Sequence, residues 1–259
     1  MALAPATPGA IHALWDELAD FDATQIDAAR DHLLASLAAL VDASGATWIG
    51  AVRLVDPQAG DPVNGWRPRV IYHLGPHPQR EKLAKEQARK LEAGSVDETT
   101  VRNVALAGQY RVNRLSDLVA EDWFRGNYYR TYYLGAGHQD AIWAGIPVSA
   151  DAEVYFGFYR ATGRPMFDPA ERELVAAALR PLKWLYRRML LSEGVGVASA
   201  PLSAAERQVL HGLLQGQTQK QIAAALGHSP HTTREYVRRI FRKYGVSAGA
   251  QLMSLWLGR

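Results

Sequence analysis

Between Ser203 and Gly245 the chain is punctuated so regularly that few folds remain open to it. Ser203 is followed three residues later by Glu206, the pairing that caps a helix start reciprocally. Val209, Leu210, Leu213 and Leu214 then give a helix an apolar face, and Gly216 ends it. Gln219–Leu226 repeats the pattern with Ile222, Ala223 and Leu226 on one side and Gly227 as its stop. Ser229-Pro230 opens a third helix with a cap and a first-turn proline. Four short helices fit residues 203–257, and so tight a join between the second and third makes a helix-turn-helix.

Unrolled at 100° per residue, the third helix gathers Thr233, Val237, Ile240, Phe241 and Tyr244 on one side, its core face. His231, Glu235, Arg238 and Arg242 fall opposite, with Arg234 and Arg239 at the edges. Five bases stand within the ten residues 234–243. Charge is divided accordingly: Ala200–Arg259 holds eight Lys/Arg against two acids, leaving 21 against 24 in the rest of a chain of net charge +3. A basic tail on a mildly acidic body fits a polyanionic partner, although a solvated basic surface has the same composition. Caps, turn, core stripe and cationic face together favour double-stranded DNA. In a major groove an arginine donates twice to guanine and a carboxylate accepts from cytosine. The expected contacts are His231, Thr232, Arg234, Glu235, Arg238, Arg239 and Arg242, with Lys220 and the edge arginines on phosphates, which position without reading sequence.

These residues carry a resemblance. Leu202-Ser203, Glu206-Arg207, Val209-Leu210, Gly216, Lys220, Ile222-Ala223, Leu226, Ser229, Thr232, Ile240, Lys243 and Gly245-Val246 resemble the LuxR-type (FixJ- or NarL-type) helix-turn-helix. The resemblance covers about 55 residues, and it implies a four-helix domain whose third helix enters the major groove, usually in a homodimer held partly by the fourth. The sequence departs from that pattern at Thr233 (usually apolar), Tyr236 (usually histidine) and Tyr244 (usually leucine), and it lacks an arginine near Ala248–Gly249.

The 259 residues allow two domains. With 48% apolar and 21% charged residues the chain is of ordinary globular composition, and the absence of cysteine excludes disulfides and thiolate metal sites. No apolar run approaches a membrane span and Met1–Ala10 lacks signal-peptide character, so a cytoplasmic protein is expected, with no membrane partner. Glu193–Pro201 reads as the boundary. The expected division is 1–193 as a sensor ending in a linking helix, 194–201 as linker and 202–259 as the DNA-binding domain. The linking helix opens at Asp168-Pro169-Ala170-Glu171, a capping box, and Pro181 kinks it or ends its first half. Upstream, Asp27–Val41 reads as helix, Trp48–Val55 as strand, Asp56–Gly65 as loop, Val70–Leu74 as strand and Glu81–Leu91 as a charged helix. Ala141–Val148 and Val154–Arg160 read as a hairpin of strands. This order implies an α+β domain with an antiparallel sheet flanked by helices, joined to an all-α domain.

Val154–Arg160 and Gly163–Leu174, with Ile142–Ser149 before them, resemble the end of a GAF domain, and imply a GAF/PAS-like antiparallel sheet with a small-molecule pocket on one face. The receiver pattern of acidic pair, aspartate and lysine is not visible. Trp123, Tyr128, Tyr132 and Asp140 approximate the tryptophan, tyrosine and aspartate of acyl-homoserine-lactone sensors, but the spacing differs and Ala141 stands where proline is expected. Trp123–Tyr133 holds six aromatics in eleven residues and reads as a helix with Phe124, Tyr128 and Tyr132 on one face. Such rings serve a pocket, or simply cover the sheet and fill the core. Candidate ligand residues are Trp123, Tyr128 and Tyr132, with Trp48, Tyr72, Trp143 and Phe156 as opposing walls. His138 and Asp140 fit residues that orient one another or a ligand, or a surface turn and strand start. His73 and His77 have helical metal spacing, but prolines at 76 and 78 and a strand at His73 oppose it, so no metal or cofactor is expected. The reading is a one-component transcription regulator that is not an enzyme, with a small-molecule effector or a partner. The alternatives are a lactone-type quorum sensor, a ligand-free docking module and a DNA-tethered enzyme using His138 and Asp140.

Overall fold

The largely apolar runs at residues 45–53 and 152–161 build the centre of a five-stranded antiparallel sheet in the computed structural model, which describes residues 6–22, 24–54, 56–75, 78–195 and 202–257. The chain divides into two compact units. One holds the sheet and runs up to Ala19 and from Arg30 to Lys183; the other comprises Asp20–Ala29 and the chain from Trp184. Most of the expected linker, 196–201, lies outside the described residues, as do Val55 and His77.

The first unit holds α1 (Ala6–Asp20) up to Ala19 and α2 (Ile26–Leu40) from Arg30, then β1 (Gly45–Arg53), β2 (Trp66–His73), α3 (Pro78–Glu92), α4 (Glu98–Ala105), β3 (Arg111–Arg114) and α5 (Leu115–Leu118). They are followed by α6 (Asn127–Tyr132), β4 (His138–Pro147), β5 (Ala152–Ala161) and α7 (Pro169–Leu179). The sheet order is β2-β1-β5-β4-β3. Nine of the ten residues of β5 are buried, because it pairs with β1 and β4 and is covered on both faces. Strand periodicity divides the covers. Trp48, Ile142, Phe156 and Phe158, all fully buried, look one way, where Arg30 of α2 stands 3.6 Å above the Tyr72 ring. The other face turns toward α3, α4 and α6.

The expected elements are largely present, with three differences. α1, α4, β3 and α5 lie outside the expected elements, and the last three are short. Trp123–Tyr133 is not one helix, since Gly126 in extended conformation separates a 3₁₀ turn, Glu121–Arg125, from α6. The helix after Asp168 ends at Leu179, and α8 (Lys183–Ser192) begins beyond Pro181, whose ring cannot continue the ladder. The Asp168–Glu171 capping box is in place.

The second unit adds α9 (Ala204–Leu214), α10 (Gln219–Leu226), α11 (Pro230–Tyr244) and α12 (Gly249–Leu257). Ser203, Thr218 and Ser229 cap α9, α10 and α11, while Gly227 and Gly245 take left-handed conformations at the ends of α10 and α11. Val209, Leu210, Ile222, Val237, Ile240, Leu252 and Trp256 form its core with Leu191 of α8. Gly212 lets α9 and α10 approach closely, for a Cβ there would stand 2.7 Å from Ile222.

Candidate functional site

Two features offer chemistry, one in each unit. On α11, Thr233, Val237, Ile240 and Tyr244 are buried while His231, Thr232, Arg234, Arg238, Arg239 and Arg242 are exposed and Glu235 is half-buried, so the helix is apolar inward and cationic outward. Lys220 is exposed in the first turn of α10. Arg238 Nη1 donates to Glu235 Oε1 at 2.8 Å, an exposed pair that water or a base edge can replace at little cost. Arg239 stands over the Tyr236 ring at 5.8 Å, and the Thr232 hydroxyl shares the cap of α11 with Ser229 at 2.8 Å. Lys243 differs from its neighbours in the basic run. Its Nζ donates to Glu206 at 2.7 Å and joins α11 to α9. Burial opposes ionisation of Glu206, but hydrogen bonds from Lys243 and Ser203 hold its carboxyl below the usual range.

The departures from the LuxR-type pattern have local consequences. Thr233 is fully buried, and its hydroxyl lacks a hydrogen-bond partner among the described residues. Tyr244 keeps its ring in the core and donates its hydroxyl to the Leu191 carbonyl. Tyr236 lies against His228, with ring centroids 5.5 Å apart.

In the first unit a cavity of about 220 Å³ lies between the sheet and α3, α4 and α6. Thr47, Ile49 and Ala51 of β1, Ile71 and His73 of β2, Trp143 of β4 and Tyr155 and Tyr159 of β5 form its floor. Arg80, Leu83, Gln87 and Leu91 of α3, Asn103 and Val104 of α4, and Tyr128, Tyr132 and Tyr133 form the roof. The tyrosines are fixed by their hydroxyls: Tyr128 accepts from Gln87 at 2.7 Å, Tyr132 donates to Glu86 at 2.6 Å, and Tyr133 accepts from Trp143 Nε1 at 3.3 Å. Burial pushes the phenols of Tyr128 and Tyr133 up, keeping them neutral donors.

Of the seven candidate ligand residues, the cavity brings together Tyr128, Tyr132 and Trp143. Trp123 stands behind them, donating to Asp97 at 3.1 Å, edge-on to Phe124 and Tyr133 and tilted against Tyr128 and Tyr129. Trp48, Tyr72 and Phe156 are not among the walls. Neighbouring residues Thr47, Ile71 and Tyr155 take those places, and strand alternation turns Trp48, Tyr72 and Phe156 to the far face. Sequence reading missed Tyr155, Tyr159 and Arg80, and it named His138, which also lines the cavity. The pattern Tyr155-x-Gly157-x-Tyr159 held the signal for the first two, as the polar set of the strand's two faces.

His138 and Asp140 are neither a pair nor a surface turn. Both are buried in β4, and a register shift lies between them. His138 stacks on Tyr159 at 4.7 Å and accepts from Arg80 at 2.9 Å, since a guanidinium only donates. Asp140 takes backbone N–H bonds from Ala141 and Phe167, both at 2.8 Å, and burial pushes its carboxyl up to about 6 despite those bonds. Among the described residues no cluster of three potential metal ligands forms, and no helix is long and apolar enough to cross a membrane.

Residues 200–256 match the family described as bacterial regulatory proteins, luxR family. No curated protein sequence matches the chain. Among solved structures, the fold is similar to SdiA in complex with octanoyl-rac-glycerol, at 15% identity over 98% of this chain and 96% of that one, with a TM-score of 0.50. Escherichia coli SdiA in another crystal matches at 13% identity over 95% and 94%, TM-score 0.48. The LBD domain of VqsR from Pseudomonas aeruginosa matches at 14% over 73% and 98%, TM-score 0.44. The N-terminal antiparallel sheet flanked by helices thus precedes a C-terminal helical domain whose capped helices and outward cationic face carry the family's pattern. Residues 200–256 are a DNA-binding domain of the luxR family of bacterial regulatory proteins, and the chain that carries it is a transcription regulator.

Proposed function

We propose that the chain is a one-component regulator in which a small molecule in the sheet-unit cavity controls sequence-specific DNA binding by α11. The observation that carries this reading is the outward face of α11, cationic and exposed against a buried apolar stripe on the same helix. His231, Thr232, Glu235, Arg238 and Arg242 read base edges in this proposal, and Lys220, Arg234 and Arg239 bind phosphates. Two copies with recognition helices about 34–36 Å apart read a pseudo-palindrome. The division 1–193, 194–201 and 202–259 is retained as sensor, linker and DNA-binding domain. A protein that reads chromosomal DNA works in the cytoplasm.

The cavity supports a sensing role because it joins apolar walls to a few fixed hydroxyls, the usual balance of a small-molecule site. A central antiparallel sheet with its cavity on one face also supports the GAF-like reading. Octanoyl-rac-glycerol bound to SdiA suggests an amphiphile of similar size. A ligand shifts DNA affinity only through its differential affinity for the two states of the protein, so tight binding alone does not switch the regulator.

Lys220→Ala tests the phosphate assignment. It is expected to weaken binding to every duplex alike and to lower the slope of log affinity against log salt by about 1. Fluorescence anisotropy across a salt series reads this directly, and an unchanged slope removes Lys220 from the backbone contacts.

A further inference from the structure

Buried arginines in the sheet unit have carboxylate partners, with one exception. Arg67 pairs with Asp61 at 3.0 Å, Arg111 with Glu153 at 2.8 Å, Arg160 with Asp42 and Glu171, and Arg30 with Asp31 at 3.4 Å. Arg80 is 5% exposed, and no carboxylate of the described residues pairs with it. Its Nη2 donates to His138, while Nε and Nη1 are buried with no hydrogen-bond partner among the described residues. The guanidinium lies 4.9 Å over the Tyr159 ring and lines the cavity. Gly45 makes the space, since a Cβ there would overlap the guanidinium nitrogens.

A cation placed so is costly. Taking a guanidinium out of water without a counter-charge destabilises the fold unless something else meets it. Burial pulls the Arg80 group below its ordinary range, and no carboxylate opposes that. Nη1 and the second N–H of Nη2 form the end of the planar fork, where a carboxylate can accept, and the Nε–H is a further unused donor. Around it the cavity continues into Leu83, Ile49 and Trp143, which offer only apolar or ring surface to the remainder of a ligand.

We infer that the cavity ligand is a small organic acid, its carboxylate held by Arg80 and its apolar body lying along the sheet toward Trp143. This rests on the sensing role proposed above and gives it a ligand class: an anion, where an uncharged ester or amide would leave the arginine unmatched. The acid supplies the missing counter-charge, so binding and stability are coupled.

The test uses the full chain and two matched pairs of probes, octanoate with octanamide and phenylacetate with phenylacetamide, titrated calorimetrically. In at least one pair the acid is expected to bind the wild type about tenfold more tightly than the amide, as a charge-assisted contact requires. Arg80→Met is expected to abolish that preference while its own ligand-free Tm is unchanged or higher, since an unmatched buried charge has gone. Gly45→Ala, which crowds the guanidinium, is expected to reduce the preference as well. Amides that bind as tightly as acids overturn the inference and leave the sensing role standing. An acid preference that survives in Arg80→Met overturns it too. So does a lowered ligand-free Tm in that variant, which makes Arg80 a structural cation. If neither member of either pair binds, the sensing role fails together with the inference.

Discussion

Glu153→Ala is expected to destabilise the sheet unit by about 3–5 kcal/mol, the cost of leaving a buried charge without its partner. Glu153 is fully buried on β5, and Arg111 reaches it from β3 across the intervening strand β4. The crossing depends on Gly145, because a Cβ at that position would stand within 2.8 Å of three guanidinium atoms. Arg111 meets both carboxylate oxygens and also donates to Asn103 and the Tyr155 hydroxyl, while the carboxylate accepts from the Gly108 N–H and from Tyr155. Alanine at 153 therefore strands a guanidinium, a backbone N–H and a phenol together. Urea denaturation followed by tryptophan fluorescence measures the loss. Arg111→Met combined with Glu153→Ala should recover part of it, since the pair contributes little beyond its own desolvation. A single-variant loss below about 1 kcal/mol would show that water reaches the network. Tyr155 belongs to this network and to the cavity floor, so the same variant should also weaken any ligand there.

Arg238→Ala has the largest expected effect on recognition. Arg238 lies on the outward side of α11, and its side chain is 67% exposed. Among the described residues its carboxylate partner is Glu235 on the same face, so it can be delivered to a guanine without breaking a buried contact. Truncation should cost about 1–3 kcal/mol on the preferred site and relax the base preference at one position of each half-site. Competition binding against single-base variants of that site reads both effects. An equal loss on every duplex would make Arg238 a phosphate contact.

The C-terminal unit was legible almost to the residue because its signals are local. Ser203 with Glu206, Gly227, and Ser229 with Pro230 act within one turn of chain, and each fixes a helix end without reference to the rest of the molecule. The inward stripe of α11 is likewise a property of one helix. Lys243, which is not among the expected contacts, is tied to Glu206 37 residues away, a pairing that local signals do not show.

The sheet unit yielded its architecture but not its site. Strand positions were visible as apolar runs, yet which face of β1 and β5 meets the cavity depends on distant covers. Trp48 and Phe156 drew attention by size, while the cavity is floored by their smaller or more polar neighbours Thr47 and Tyr155. Arg80 was readable in principle. Arg80, Leu83, Ala84, Gln87, Ala88 and Leu91 recur at helical spacing, and all of them line the cavity. A charge on an otherwise inward stripe is the sign of a buried cation, and it was hidden by the many solvated charges of the same helix.

The central claim is that the outward face of α11 reads base sequence in duplex DNA. Selection of bound duplexes by the full chain from a randomised pool tests it most directly. The account predicts enrichment of a two-fold related motif, its half-sites about one helical turn apart, that Arg238→Ala fails to enrich at the same positions. Retention of duplexes at low salt with no motif enriched after successive rounds would contradict it, and would reduce α11 to a surface that binds phosphates alone.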